Sequence, residues 1–384
     1  MKYYKHLVAG LLLLASICGA CTSSSKKTAN SANSSAEKQE VAALISKVNN
    51  HWQNTHPQHE NSFWHRAAYH TGNMAAYEVT KNEEYLNYSK AWAEHNKWMG
   101  AQELDKAKWK YSYGESDEFV LFGDFQTCFQ VYIDLYNLEK DEKKIARAQE
   151  VMLYQMSTPQ NDYWWWADGL YMAMPVMTKL YKVSGNEQYL DKLYEYFAFA
   201  RDLMYDSESH LFFRDAKYIY PEHTTKSGAK DFWARGNGWA FAAFAKVLED
   251  LPQNNAHRAE YIQIYKDMAE AIKNSQQADG SWSRSMFDIE QAPGPETSGT
   301  AFFAYGFLWG VNNNIFDKAD YQEVIDKSWT YLTQTALQED GRVGYVQPIG
   351  EKAIPGQIVD ANSTADFGVG AFLLAASEMW KYVD

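Results

Sequence analysis

Two aspartates stand where acid–base chemistry could be run. Asp168 lies in Tyr163-Trp-Trp-Trp-Ala-Asp168-Gly-Leu-Tyr-Met-Ala-Met-Pro175, a lone carboxylate among aromatic and methionine side chains at the start of a helical pattern. Stripped of water by such neighbours, a carboxyl favours its neutral form and can carry a proton to donate near neutrality. The competing reading is a helix N-cap, in which the same oxygen accepts backbone N–H groups. Asp124, in Leu121-Phe-Gly-Asp124-Phe-Gln126, also opens an apolar helix. Two such carboxyls brought together push their pKa values apart, so that one stays protonated while the other ionises.

The most specific string is Phe232-Trp-Ala-Arg235-Gly-Asn237-Gly-Trp239. Its two glycines are expected to let the backbone turn tightly around Asn237 and approach a ligand. Arg235 offers a planar fork to a carboxylate, or else a cap for backbone carbonyls. Trp239 offers a face for stacking. Trp64-His-Arg66 with Tyr69, and Arg214 in Leu211-Phe-Phe-Arg214-Asp215, could line the same rim or belong to the scaffold. No phosphate-cradling loop, Gly-x-Ser-x-Gly elbow, His-Glu-x-x-His helix or dinucleotide fingerprint is present, and the histidines do not cluster. Neither a metal nor a cofactor is expected.

Composition frames these candidates. The 384 residues are 46% hydrophobic and 16% aromatic, with a formal charge of −13. An acidic chain lacks the clustered lysine and arginine that nucleic acid demands. Aromatic abundance suits sugar stacking and a full core alike. At the N-terminus Lys2, Lys5 and His6 precede a short apolar run, Leu7 to Ile17, and then Cys18-Gly19-Ala20-Cys21. Residues 1–20 are expected to be a lipoprotein signal peptide and Cys21 its lipidated product end. Residues 21–40, rich in Ser, Ala, Asn and Lys, are expected to form a flexible tether. The only contact with a membrane would be through that anchor, at the bacterial cell envelope. Cys128 then remains as a buried small hydrophobe.

Residues 41–384 read as one domain built from repeats. Tyr77-Glu-Val-Thr-Lys-Asn-Glu-Glu-Tyr85-Leu86 resembles Tyr181-Lys-Val-Ser-Gly-Asn-Glu-Gln-Tyr189-Leu190, each a helix end, a turn and a new helix. Gln277-Ala-Asp-Gly280 and Gln338-Glu-Asp-Gly341 are a second pair of turns. Counting such units predicts about six hairpins and about twelve helices. Short strands are possible at Leu211 to Arg214 and Arg342 to Gln347. The expected all-α architecture is an (α/α)6 toroid with inner helices around a funnel. An open solenoid is the alternative, disfavoured by the apolar last helix.

The Asp168-Gly-Leu-Tyr-Met segment, Arg235-Gly-Asn-Gly-Trp239, the Gln-x-Asp-Gly turns and the helices starting at Gly299 and Gly368 resemble glycoside hydrolase family 105. That family contains unsaturated rhamnogalacturonyl hydrolases and is related to the family 88 unsaturated glucuronyl hydrolases. The resemblance implies an (α/α)6 barrel without metal. It also implies release of a 4,5-unsaturated uronic acid from lyase-generated oligosaccharides by hydration of the double bond. It makes Asp168 the acid–base residue and Asp124 the second pocket aspartate. Arg235 and Trp239 would contact the uronate carboxylate and ring, with Trp64 as an early pocket tryptophan. Arg214 stands where many members carry His. The competing functions are a hydrolase or epimerase of saturated sugars on the same fold, and a lipid-anchored carbohydrate-binding protein.

Overall fold

A computed structural model describes residues 21–57 and 59–383, with side chains from Ser34 onward. The leader expected over 1–20 lies outside the described residues, as does the side chain of Cys21. Helices alternate between two rings. The inner ring holds α2 (Trp64–Thr80), α4 (Gly123–Gln126) continued by α5 (Cys128–Leu138), α7 (Ala167–Ser184), α9 (Ala234–Asp250), α11 (Thr297–Asn312) and α13 (Asp366–Tyr382). The outer ring holds α1 (Cys21–Thr55), α3 (Glu83–His95), α6 (Lys143–Met156), α8 (Gln188–Met204), α10 (Arg258–Asn274) and α12 (Lys318–Tyr331).

Each inner helix packs on the next, and α13 packs back on α2, so the ring closes. Outer helices cover inner ones in pairs, with α1 laid against α13. This is the expected (α/α)6 toroid, and the open solenoid is excluded by the α2–α13 seam. That seam needs glycine on both sides. A Cβ on Gly72 would lie 2.2 Å from the Gly370 carbonyl oxygen, and one on Gly370 would lie 2.3 Å from that of Ala68. The inner helices α11 and α13 are buried over Thr297–Gly310 and Asp366–Met379, and mostly apolar, as helices sheathed by a second ring must be.

The repeated motif does what its residues predict. Asn82 accepts from the Glu84 N–H and Asn186 from the Gln188 N–H, so each asparagine starts an outer helix. The Gln-x-Asp-Gly turns place Gly280 and Gly341 at φ 88° and 96°, the left-handed region. Cys128 is fully buried, and burial pushes its thiol up to about 12.

Three expectations are corrected. Residues 21–40 form the first part of α1, because the stretch contains neither proline nor glycine to stop a helix. Leu211–Phe212 does pair with Tyr205–Asp206, whereas Arg342 to Gln347 forms only one isolated bridge, Val343 to Leu337. The Arg235-Gly-Asn-Gly-Trp239 string is no turn. It is the first turns of α9, with non-helical backbone only before Ala234.

Candidate active site

All six inner helices start at the same end of the ring, so the loops that precede them form one rim. Within it lies a cavity of about 980 Å³. Its wall includes Trp64 from α2, Asp124 from α4, Trp165 and Asp168 at the start of α7, and Arg214 after the Leu211–Phe212 strand. The loops add Tyr113, Glu115 and Asp117 on one side and Ile349, Gly350 and Glu351 on the other.

Asp168 sits in the first turn of α7 and is 9% exposed. The sequence left open whether it caps the helix. It does not, since the cap position belongs to Trp166 and no side-chain cap bond forms there. Its Oδ2 has no hydrogen-bond partner and stands 3.7 Å from the Arg214 Nε, itself unpartnered. Burial raises the Asp168 carboxyl above the ordinary carboxylate range, against the pull of the Arg214 and Arg235 cations. Asp124 is raised well above that range, first by burial and then by the charge of Asp168. The two carboxyls therefore titrate as a pair that keeps a proton where isolated aspartates have lost theirs.

Arg214 is the cation of the cavity wall that stands beside Asp168. Its Nη1 donates to Asp215 at 2.5 Å and lies 3.4 Å from Glu351 Oε2. The guanidinium faces the Trp165 ring at 5.8 Å. Trp64 is half-buried, tilted on Phe367 with ring centroids 5.3 Å apart, and presents its remaining face to the cavity. Beside it His65 and Arg66 both meet Asp366, at 2.7 and 2.6 Å.

Three residues singled out from the sequence lie behind this wall. Arg235 is 1% exposed and donates to the carbonyls of Gln347 and Pro348 at 2.7 and 3.0 Å. Of its two readings, the carbonyl cap is the one realised, and burial lowers its guanidinium to about 10. Asn237 is buried and clamps the backbone of Phe212, accepting from its N–H at 2.8 Å and donating to its carbonyl at 3.0 Å. Trp239 is fully buried between Tyr171 and Phe302, with Trp64 edge-on at 6.1 Å. It has no face to offer a sugar. The glycines around Asn237 serve helix packing: a Cβ on Gly238 would lie 3.0 Å from Phe302 Cβ. So Arg235 and Asn237 hold the loop and strand that carry Glu351 and Arg214, while Trp239 supports Trp64 from beneath.

Trp165, Lys217 and Glu351 were not singled out by sequence reasoning. Within 163–166, Tyr163 and Trp164 form a turn and are buried together with Trp166, and Trp165 is the one left partly exposed, on the cavity wall. Nothing local marks Glu351. Among the described residues no group of three or more His, Cys, Asp or Glu could hold a metal ion.

Known proteins share this fold. An "Unsaturated 3S-rhamnoglycuronyl hydrolase" of Formosa agariphila is 33% identical over 342 residues, 86% of this chain and 88% of that protein. A solved structure described as a polysaccharide lyase is 63% identical with a TM-score of 0.88, covering 90% of this chain and 98% of the other. A solved glycosyl hydrolase family 88 protein from Bacteroides vulgatus is 55% identical, also with a TM-score of 0.88, covering 90% and 99%. A possible family 105 member from Salmonella enterica shares the fold at 19% identity and a TM-score of 0.71, covering 89% and 94%. The sequence model described as Glycosyl Hydrolase Family 88 matches residues 26–383, which takes in all six inner helices and both carboxyls of the cavity; the chain belongs to that family.

Proposed function

We propose that the protein is a hydrolase that releases a 4,5-unsaturated uronic acid from the non-reducing end of lyase-generated oligosaccharides. It does so by hydrating the C4=C5 double bond. The observation that carries this reading is the buried Asp168 carboxyl with an unpartnered oxygen beside Arg214. Protonated Asp168 gives its proton to C4. Positive charge develops at C5 and is shared with the ring oxygen. The ionised Asp168 then takes a proton from a water that adds at C5, and so returns to its starting state. The hemiketal breaks its bond to the ring oxygen, leaving a ketone at C5 and a hemiacetal at C1. Breakdown of the hemiacetal frees the remaining sugar. One acid–base group suffices, unlike the two carboxylates of ordinary glycosidases.

Asp124 hydrogen-bonds substrate hydroxyls and helps keep Asp168 protonated. Arg214 holds the uronate carboxylate, and Trp64 and Trp165 flank the rings. Arg235, Asn237 and Trp239 act from behind the wall. The name of the Formosa agariphila relative supports an unsaturated uronyl substrate.

The test follows the ultraviolet absorbance of the conjugated double bond in unsaturated oligosaccharides. Wild-type protein is expected to abolish it. General acid catalysis is worth ~10²–10⁴-fold, so Asp168→Asn should lose at least that much in kcat while still binding substrate. Near-normal turnover by that variant would remove Asp168 from the chemistry. A second reading, elimination, is favoured by the 63% identical structure described as a lyase. It predicts the opposite sign: absorbance rises from an intact uronate-containing glycan, because a lyase creates the bond that hydration consumes.

We infer further that Cys21 is lipidated and holds the enzyme at the bacterial cell envelope. The support is the basic start, the short apolar run and the small residues before Cys21. Cys21→Ser should move the protein from the membrane to the soluble fraction.

A further inference from the structure

We propose that Glu351 occupies, in the substrate-free site, the place that the uronate carboxylate takes. It must give up Arg214 and Lys217 for substrate to bind, which makes it a determinant of specificity for the free acid. The inference rests on the uronyl reading above and deepens it.

The charges around Arg214 are already balanced before substrate arrives. Arg214 and Lys217 supply two cations, and Asp215 and Glu351 supply two carboxylates within 4 Å of them, while Asp168, 3.7 Å from Arg214, counts as neutral as long as it holds the proton it donates. A third carboxylate entering this group would leave it net negative, and like charges at contact repel. One of the two resident carboxylates must therefore move. Asp215 is held fast. It is 2% exposed, its Oδ1 accepts the Lys217 N–H at 2.8 Å, and its Oδ2 accepts from Arg214 at 2.5 Å. Glu351 is not. Its side chain is 43% exposed, accepting from the Lys217 Nζ at 2.8 Å. Although burial alone would raise its carboxyl, Lys217, Tyr218 and Arg214 together hold it below the ordinary range, so it is an anion at working pH.

The chain around Glu351 permits the movement. Just before it, Arg235 grips the carbonyls of Gln347 and Pro348, and the Trp233 Nε1 donates to Gln347 Oε1 at 2.8 Å. Just after it, Gln347 Nε2 donates to the Lys352 carbonyl at 2.8 Å. Between these anchors Gly350 has no neighbour nearer than 3.8 Å to the place of a Cβ. The Glu351 side chain can swing toward solvent without disturbing the base of its loop. The Arg214 Nη1 and Lys217 Nζ that Glu351 releases then face the incoming carboxylate together. Only an anion can take over both cations, so an esterified uronate gains nothing by the exchange.

Steady-state kinetics of wild type and Glu351→Gln on an unsaturated uronyl disaccharide and on its methyl ester tests this. Gln is isosteric and removes only the competing charge. The variant should lower KM for the free acid by about 2–5-fold, the range of a partly exposed ion pair. Its KM for the ester should fall by less than its KM for the acid. An unchanged or higher KM for the acid, or an equal fall for the ester, overturns the proposal. Calorimetric binding of D-glucuronate provides the readout independent of turnover. Tighter binding to the variant supports displacement and equal or weaker binding overturns it, even if no double bond is consumed and the hydrolase reading falls.

Discussion

At the residue scale, opposing effects decide when the Asp168 donor is loaded. Burial raises its carboxyl, and Arg214, then Arg235, pull it back down. Removing the nearer cation removes the larger pull. Arg214→Gln should therefore shift the alkaline limb of the kcat–pH profile to higher pH, while KM for the free acid rises because the carboxylate has lost its partner. A shift to lower pH would contradict the assigned electrostatics. The same burial has a consequence for stability. A carboxyl whose folded pKa lies above its unfolded value contributes most below the unfolded pKa, and that contribution is lost as pH rises through the folded pKa. For Asp124 the window opens near the ordinary aspartate value of 3.8 and extends well above it. Asp124→Asn should melt higher than wild type at neutral pH, with the gap closing as pH falls toward the ordinary carboxylate range. Melting temperature against pH measures it.

At the element scale, the six inner helices present their starts to the substrate and pack on one another along the rest of their length. The closest approach on the seam is between α2 and α13, where Gly72 and Gly370 face each other's backbones. Gly370→Ala would put a methyl group 2.3 Å from a backbone carbonyl, where no side chain can yield. Overpacking of this kind costs ~1–3 kcal/mol or more, because the helices themselves must separate. Thermal or denaturant unfolding should show that loss. Because α2 also carries Trp64, kcat/KM should fall as well. The Arg235-to-Trp239 stretch has the same logic: its side chains tie the start of α9 to the loop and strand that carry Glu351 and Arg214.

At the scale of the whole molecule, closure depends on both chain ends. The first helix, α1, lies against the last, α13, and buries Val41, Ile45, Val48 and Trp52. Four such side chains are worth roughly 6–12 kcal/mol together, comparable with the ~5–15 kcal/mol by which a domain is stable. Deleting residues up to Thr55 should therefore abolish cooperative unfolding and activity together, although α1 contributes no side chain to the cavity wall. Calorimetry of the truncated protein checks this. A truncated chain that melts as wild type does would show that the other eleven-helix shell closes without it.

Local features were legible in the sequence because local forces decide them. Asn82 caps a helix, Asn186 turns the chain into one, Gly280 and Gly341 turn the chain, and the repeated hairpins add up to a ring, each through residues a few positions apart. Asp168 could also be read, since its aromatic neighbours lie beside it in the chain. What could not be read was which cation meets that carboxyl. Arg214 and Arg235 both stand beside aromatic residues in the chain. They are told apart only by the carbonyls of Gln347 and Pro348, more than a hundred residues further on, which take up one guanidinium and leave the other facing the cavity. Trp239, expected to face the substrate, lies in the core, and Trp165 lines the cavity, for the same reason. Whether an aromatic face meets sugar or core depends on what packs over it, and packing partners are brought in by the ring closing, not by the neighbouring residues.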